Sequence, residues 1–451
     1  MKSCLSRMGI EDALAKMSKG SPMTAPAFAA PLQLPTETLP NRLAKAAMTE
    51  GLADARGRPS DDLVRLYEAW GRGGAGLLIS GNVPVDAHHL ERPGNVFIAG
   101  AQDEAAKAAL RRLAQAARSG GAGFWVQLSH AGRQTPVLVN QTPKAPSAVP
   151  LALPGKLYGV PVPLEAAEIP RIIRAFADAA AVCREAGATG AQIHGAHGYL
   201  ISQFLSPLAN KREDEWGGSL ENRARFLLEI VRATRAAVGR DFTLAVKLNS
   251  ADFQRGGFAP GESMQVARWL EAEGVDLLEV SGGNYEQPRM MKMEGLEQAD
   301  TTGLPASTAA REAYFLDFAV ELRKQVKTPL MVTGGMRSAA AMNEAIERDG
   351  VALIGIGRPM VVDPDAPRRL LEGASELDRY EERLRLGPGF FSQRSSSKTL
   401  RGLNGFGALY WQYQQLRRIG RGQAPDMKLG LLEALMAERR AQESWMARRG
   451  S

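Results

Sequence analysis

The chain has 451 residues, 44% hydrophobic and 23% charged, which suits a globular protein with a large core and rules out a disordered or fibrous one. No window approaches ~18 consecutive apolar residues, and the first thirty lack the charged-then-apolar order of a secretory signal, so a cytoplasmic protein is expected. The formal charge of +7 resides in the tail: residues 388–451 carry eleven Lys/Arg and four Asp/Glu, leaving the body balanced. Two cysteines, Cys4 and Cys183, exclude a four-thiolate zinc or iron–sulfur site, and Cys183 falls on an apolar helical face as a reduced, buried thiol.

In chain order, residues 1–27 read as a disordered or optional leader, with Met23 as a possible functional start. Residues 28–40 alternate apolar and turn-forming residues, which suggests a hairpin able to plug the bottom of a barrel. Strand candidates then recur at 42–48, 76–80, 123–128, 190–194, 243–248, 276–280, 329–333 and 351–355. Between and after them, apolar residues at three- and four-residue spacing predict helices at 61–72, 103–118, 168–186, 220–237, 262–273, 307–325, 338–348 and 365–376. Eight strand–helix repeats over residues 28–378 point to an α/β fold, a closed (β/α)8 TIM barrel, and the first strand lacks the GxGxxG turn of an open dinucleotide-binding sheet. Long loops at 129–166 and 281–306 are expected over the barrel mouth, and residues 379–451 form a basic, partly helical C-terminal extension.

Polar residues gather at the predicted carboxyl ends of the strands, the face on which such barrels place their sites. Thr49 follows strand 1, Gly81 strand 2, Gln127 strand 3, His194 with His197 and Tyr199 strand 4, Lys247 strand 5, Gly334 and Gly335 strand 7, and Gly357 with Arg358 strand 8. Glycines after the last two strands let backbone N–H groups approach an anion, and Arg358 adds a charged fork. A Gln amide suits a ring edge bearing N–H beside C=O, and Lys247 suits negative charge developing on that ring. These features describe a cradle for a phosphorylated heterocycle. His194 and His197 as a metal pair lack a third ligand, and Arg212, Asp214 and Arg223 read as a structural charge network. His130 and Arg133 fit either a substrate contact or a fixed third loop.

The segments NRLAKAAMTEGLAD, FWVQLSHAGRQ, IHGAHGYLISQFLSPLANKREDEWGGSLENRARF, VKLNSADF, REAYFLDFA, VTGGMRS and IGIGRPMVVDP together resemble the Old Yellow Enzyme (NADH:flavin oxidoreductase) family over about residues 28–370. The resemblance implies a flavoprotein oxidoreductase with FMN across the barrel mouth. Ala46, Ala47, Met48 and Thr49 would line the flavin, Gly81 would sit against its ring, and Gln127 would meet the pyrimidine edge. Lys247 would stand by N1 and O2, and Gly334, Gly335, Gly357 and Arg358 would hold the phosphate. It further implies an ene-reductase, in which NADH or NADPH reduces the flavin and hydride passes from N5 to Cβ of an electron-poor alkene such as an enone. His194 and His197 would polarise that alkene and Tyr199 would protonate Cα.

Thr49 stands where some members carry a cysteine, and Gly51 where some carry an aromatic, so thiol-based redox tuning is not expected and the pocket wall differs. Larger relatives add an iron–sulfur site and a nucleotide domain, for which this chain has neither the cysteines nor the length. The aromatic and arginine mixture of YWQYQQLRRIGRG suggests a homo-oligomer contact, and some members of the resembled family send a C-terminal arginine into a neighbouring active site. The competing readings are an RNA-binding barrel using the basic tail and a metal-dependent barrel hydrolase.

Overall fold

The computed structural model describes residues 25–153, 156–286, 315–391 and 395–449. Eight parallel strands close a barrel: β1 (Leu43–Lys45), β2 (Leu77–Pro84), β3 (Gly123–Ser129), β4 (Gly190–Gly195), β5 (Thr243–Asn249), β6 (Leu277–Ser281), β7 (Leu330–Thr333) and β8 (Leu353–Ile356), with β8 pairing back to β1. The expected (β/α)8 barrel is therefore present, with all eight strands at the predicted places. They are buried along their whole lengths, apart from a half-buried Thr333 ending β7, which is why they read in sequence as short continuous apolar runs rather than as alternating ones.

Helices α1 (Asp61–Arg72), α2 (Glu104–Ala117), α3 (Ile169–Glu185), α4 (Leu220–Val238), α5 (Pro260–Ala272), α6 (Leu316–Arg323), α7 (Ala339–Glu347) and α8 (Ala366–Leu371) follow the strands in turn. Local chemistry sets their starts. The Ser60 hydroxyl accepts from the Leu63 N–H at α1, and the Ser219 hydroxyl accepts from the Asn222 N–H at α4. α8 is shorter than the predicted 365–376, and the 307–314 part of the predicted sixth helix lies outside the described residues. So do most of the leader and most of the 281–306 loop.

The N-terminal hairpin pairs Leu32–Gln33 with Thr38–Leu39. Leu32, Leu34 and Leu39 share one apolar cluster with Ala44, Leu77, Trp125, Ala245, Leu277, Met331 and Leu353 from inside the barrel, while Glu37 accepts from the Trp125 indole at 2.5 Å. The hairpin thus closes the end opposite the candidate site.

The C-terminal extension is two helices, α9 (Lys398–Gly420) and α10 (Leu431–Arg449), packed on each other and on α1. Trp411 is fully buried, and the Trp445 indole donates to the Ala53 and Asp54 carbonyls in the loop after β1. Among the described residues no helix is long and apolar enough to cross a membrane.

Candidate active site at the barrel mouth

Register brings the predicted residues to one end of the barrel. Gln127 lies beside Gln192, and His194 beside Lys247, which is itself beside Glu279. Their side chains form one polar layer. The Gln127 amide donates to Gln192 at 2.6 Å, Gln192 donates to Glu279 at 2.7 Å, Thr333 donates to Glu279 at 2.6 Å, and Lys247 pairs with Glu279 at 3.0 Å. Glu279 is fully buried, and these three contacts offset its desolvation. Gln192 and Glu279 escape a sequence reading because each is a single polar residue within an apolar run.

The β4 end carries the reactive-looking groups. The His194 ring stands edge-on to His197 at 4.8 Å and to Tyr199 at 4.9 Å. The Ala196 N–H donates to His194 Nδ1, which assigns the His194 proton to Nε2. His197 adopts φ 62°, held by its N–H to Asn249, by a Gln134 amide donating to its carbonyl, and by a ring contact from Nε2 to Ser281 Oγ at 2.6 Å. A non-glycine residue kept in this sparsely populated region by three partners has a fixed aim. Burial, followed by the neighbouring positive groups, holds both histidines well below the usual range, so they are neutral donors. Burial pushes Tyr199 well above its usual value, so its proton stays on.

Two further residues meet Tyr199 and a third meets one of these, and none was expected from the sequence. The Asn82 amide donates to the Tyr199 oxygen at 3.1 Å, Tyr285 shares a hydrogen bond with it at 2.8 Å, and Tyr285 donates to Glu91 Oε1 at 3.4 Å. Asn82 follows a register shift in the β2–β3 pairing after Ile79, an irregularity of the kind that re-aims side chains beside sites.

On the far side of the mouth, Ala46, Ala47, Met48 and Thr49 leave β1 next to the end of β8, with the Ala46 N–H donating to the Ile356 carbonyl at 2.9 Å. Gly81 packs under this segment: its N–H donates to Glu50 at 3.0 Å, and a Cβ there would lie 2.5 Å from the Met48 carbonyl. Gly334 and Gly335 take φ of 113° and 89°. A Cβ on Gly334 would meet nothing within 4 Å, and one on Gly357 would meet only Met48 Sδ at 3.8 Å. Arg358 reaches Glu381 at 3.3 Å, and Arg337, missed in the sequence, reaches the same carboxylate at 2.5 Å.

A match to the NADH:flavin oxidoreductase / NADH oxidase family model runs over residues 28–376, the barrel and its strand ends. The chain belongs to this family. It is 36% identical over 353 residues to the NADH-dependent flavin oxidoreductase iliE of Hypocrea jecorina, covering 74% of this chain and 86% of that one. It is 35% identical over 343 residues to an NADH oxidase of Thermoanaerobacter brockii, covering 74% of this chain but only 49% of that one. Among solved structures, the Old Yellow Enzyme homologue from Zymomonas mobilis matches with a TM-score of 0.64 at 28% identity, over 78% of this chain and 94% of that one. As a member of the NADH:flavin oxidoreductase family the chain is a flavin-dependent oxidoreductase, and its cofactors are of the FMN and nicotinamide kind.

The competing readings find no support in the structure. Two tail arginines turn in to the barrel, Arg417 to the Gly51 carbonyl and Arg449 to the Ala87 carbonyl, and Arg418 closes the extension on itself at the Ala424 carbonyl. Among the described residues one group, Asp86, His89 and His130, offers three potential metal ligands within 4.8 Å. Its wiring suits protons rather than a metal. The Lys144 N–H donates to His89 Nε2 and the Gly132 N–H to His130 Nδ1, so the proton of each ring sits on the nitrogen facing Asp86, 3.0 Å and 3.7 Å away. A metal would need lone pairs where these N–H groups are. Arg133 pairs with Glu286 at 2.9 Å, and Arg212 with Asp214 while Arg223 reaches Glu262, which are structural contacts around the loops.

Proposed function

We propose that this NADH:flavin oxidoreductase is an ene-reductase, an enzyme that reduces electron-poor alkenes such as enones. The observation that carries the proposal is the convergence of two neutral histidines and a protonated tyrosine on one point beside a polar layer at the barrel mouth. FMN, when bound, supplies the hydride from N5, having received it from NADH or NADPH. The glycine cradle fits its phosphate: Gly334 and Gly357 leave open backbone, Gly335 takes a positive φ of 89°, and Arg358 is the cation beside them. Ala46, Ala47, Met48 and Thr49 would flank the ring with Gly81 behind them, while Gln127 would meet the pyrimidine edge.

Lys247, linked to Gln127 through Glu279 and Gln192, would answer charge at N1 and O2. His194 donates through Nε2 to a substrate carbonyl, and His197, when its Nε2 accepts from Ser281, carries its own proton on Nδ1 for the same oxygen. These hydrogen bonds draw electron density from the C=C and raise its electrophilicity at Cβ. Tyr199 then delivers a proton to Cα.

Tyr199→Phe tests the assignment. Alkene reduction should slow by about a hundred-fold or more while flavin reduction by the nicotinamide changes little. Equal slowing of both half-reactions would remove Tyr199 as the donor. A homo-oligomer contact through the C-terminal extension would draw on Phe391, Leu403, Phe406, Met427, Leu432 and Met436, its exposed large apolar side chains among the described residues, because Trp411 and Tyr413 are buried within the chain. A cytoplasmic location belongs to the same proposal.

A further inference from the structure

Glu91 is surrounded by phenols. Tyr158, Tyr199, Tyr285, Tyr410 and Tyr413, five of the chain's eight tyrosines, all lie within its electrostatic reach, and its Oε2 is buried with no hydrogen-bond partner among the described residues. These groups come from four places: the loop after β3 (Tyr158), the end of β4 (Tyr199), the segment after β6 (Tyr285) and α9 (Tyr410, Tyr413). Thr49 and Asn95 also face the carboxylate. The neighbouring cation, Arg92, is committed elsewhere: it is bonded to Glu438 of α10 and stacks over the Tyr413 ring at 3.7 Å. A carboxyl group placed among hydroxyls, with its cation drawn away, loses part of the stabilisation of its charged form. Burial accordingly pushes Glu91 above the usual carboxylate range, with Arg92 opposing.

One of these phenols leads back to the site. We propose that Glu91 is the proton reservoir for Tyr199, passing its proton through the Tyr285 hydroxyl along the path Glu91 Oε1, Tyr285 OH, Tyr199 OH, whose links are 3.4 Å and 2.8 Å long. The inference rests on the reading of Tyr199 as the proton donor.

The need for a reservoir follows from burial. Once Tyr199 has given its proton to Cα, its O–H bond is broken and a C–H bond has formed, leaving a phenolate with 4% of its residue surface exposed. The Asn82 amide steadies that oxygen but carries no proton to spare. Tyr285 O–H transfers its proton to the phenolate, Glu91 restores the Tyr285 proton, and Glu91 ends as a carboxylate. Glu91 retains partial access to solvent, from which it is reprotonated. The cycle consumes one solvent proton and no further reductant. Both hydrogen bonds reverse direction when substrate draws the Tyr199 O–H toward Cα, a change that needs only hydroxyl rotation.

The test compares Glu91→Gln, Tyr285→Phe and Tyr199→Phe holoenzymes, reduced anaerobically and then mixed with either cyclohexenone or ferricyanide, an acceptor that requires no C–H bond formation. The ratio of the two reoxidation rates should fall by about ten-fold or more in Glu91→Gln and Tyr285→Phe. In the wild type it should fall as pH rises past the Glu91 titration, and Glu91→Gln should abolish that slope. A second readout uses the flavin-free protein: the infrared C=O band of a protonated carboxyl at neutral pH, present in wild type and lost in Glu91→Gln. If Tyr199→Phe lowers the ratio while Glu91→Gln and Tyr285→Phe leave it intact, the relay is wrong and the donor assignment stands. An unchanged ratio in Tyr199→Phe would instead overturn the assignment on which the relay rests. Lack of the infrared band in wild type would also refute the reservoir.

Discussion

His130 shows how single side chains near the mouth set stability as well as chemistry. Burial first, and the nearby His89 next, lowers its pKa to about 4, while Asp86 opposes the shift. In the unfolded chain the same group titrates near 6.5. Between these values the unfolded state binds the extra proton, so stability is full above about pH 6.5 and is lost as pH falls toward 4. The loss amounts to at most about 3 kcal/mol. Asp86 adds no slope above about pH 5, because burial of its carboxyl is outweighed by its contacts with His130 and His89, which hold it well below its unfolded range, and it is ionised in both states there. Thermal melts of the wild type should show the decline, and His130→Gln should flatten it. A wild-type melting temperature that is constant from pH 6.5 to 4 would contradict the account of this cluster.

At the scale of elements, the loop after β1 and the end of β2 are fitted to one another without slack. Gly81 tolerates no side chain: a Cβ would stand 2.4 Å from Glu50 Oε2 and 2.5 Å from a backbone carbonyl that cannot swing away. Gly81→Ala should therefore lower stability by about 1–3 kcal/mol, read as a shifted denaturant midpoint with unchanged slope. An unshifted midpoint would mean that the 46–50 segment is looser than the geometry implies. The eight strands, most helix starts and the polar strand ends were legible in sequence because local periodicity and capping encode them. Gly81, Gln127, Lys247 and the β4 residues could be placed because a barrel makes strand ends neighbours. Asn82, Glu91 and Tyr285 could not. The first is turned inward by a β2 irregularity, and the other two lie in loops whose approach to Tyr199 depends on three-dimensional packing that no periodicity carries. Gln192 and Glu279 were hidden for another reason, since a polar residue inside an apolar run signals nothing until its cross-strand partners are known.

The whole molecule adds a brace that composition alone misrepresents. The C-terminal segment carries the basic excess, yet Arg417 and Arg449 turn in to carbonyls, Arg417 also reaches the buried Glu438, and Trp411, Tyr413 and Trp445 are buried between α9, α10 and the barrel. The α9–α10 pair thereby touches Gly51, Ala53, Asp54, Ala87 and Arg92, which flank Glu91 and the segment that leaves β1. Trp445→Ala removes a side chain whose residue is 4% exposed, together with its bonds to the Ala53 and Asp54 carbonyls. A loss of about 3–5 kcal/mol is expected, measured by chemical unfolding. A change within about 0.5 kcal/mol, the range of ordinary surface substitutions, would show that α10 does not brace the mouth.

The central claim, a flavin-dependent enzyme that reduces alkenes through Tyr199, is tested most directly by the anaerobic visible spectrum of the purified protein during sequential addition of NAD(P)H and cyclohexenone. The account predicts a yellow protein that bleaches with the nicotinamide and regains its colour with the enone. Colour that bleaches and does not return would keep the family assignment but contradict alkene reduction. A colourless protein that takes up no added FMN would contradict the reading of the barrel mouth itself.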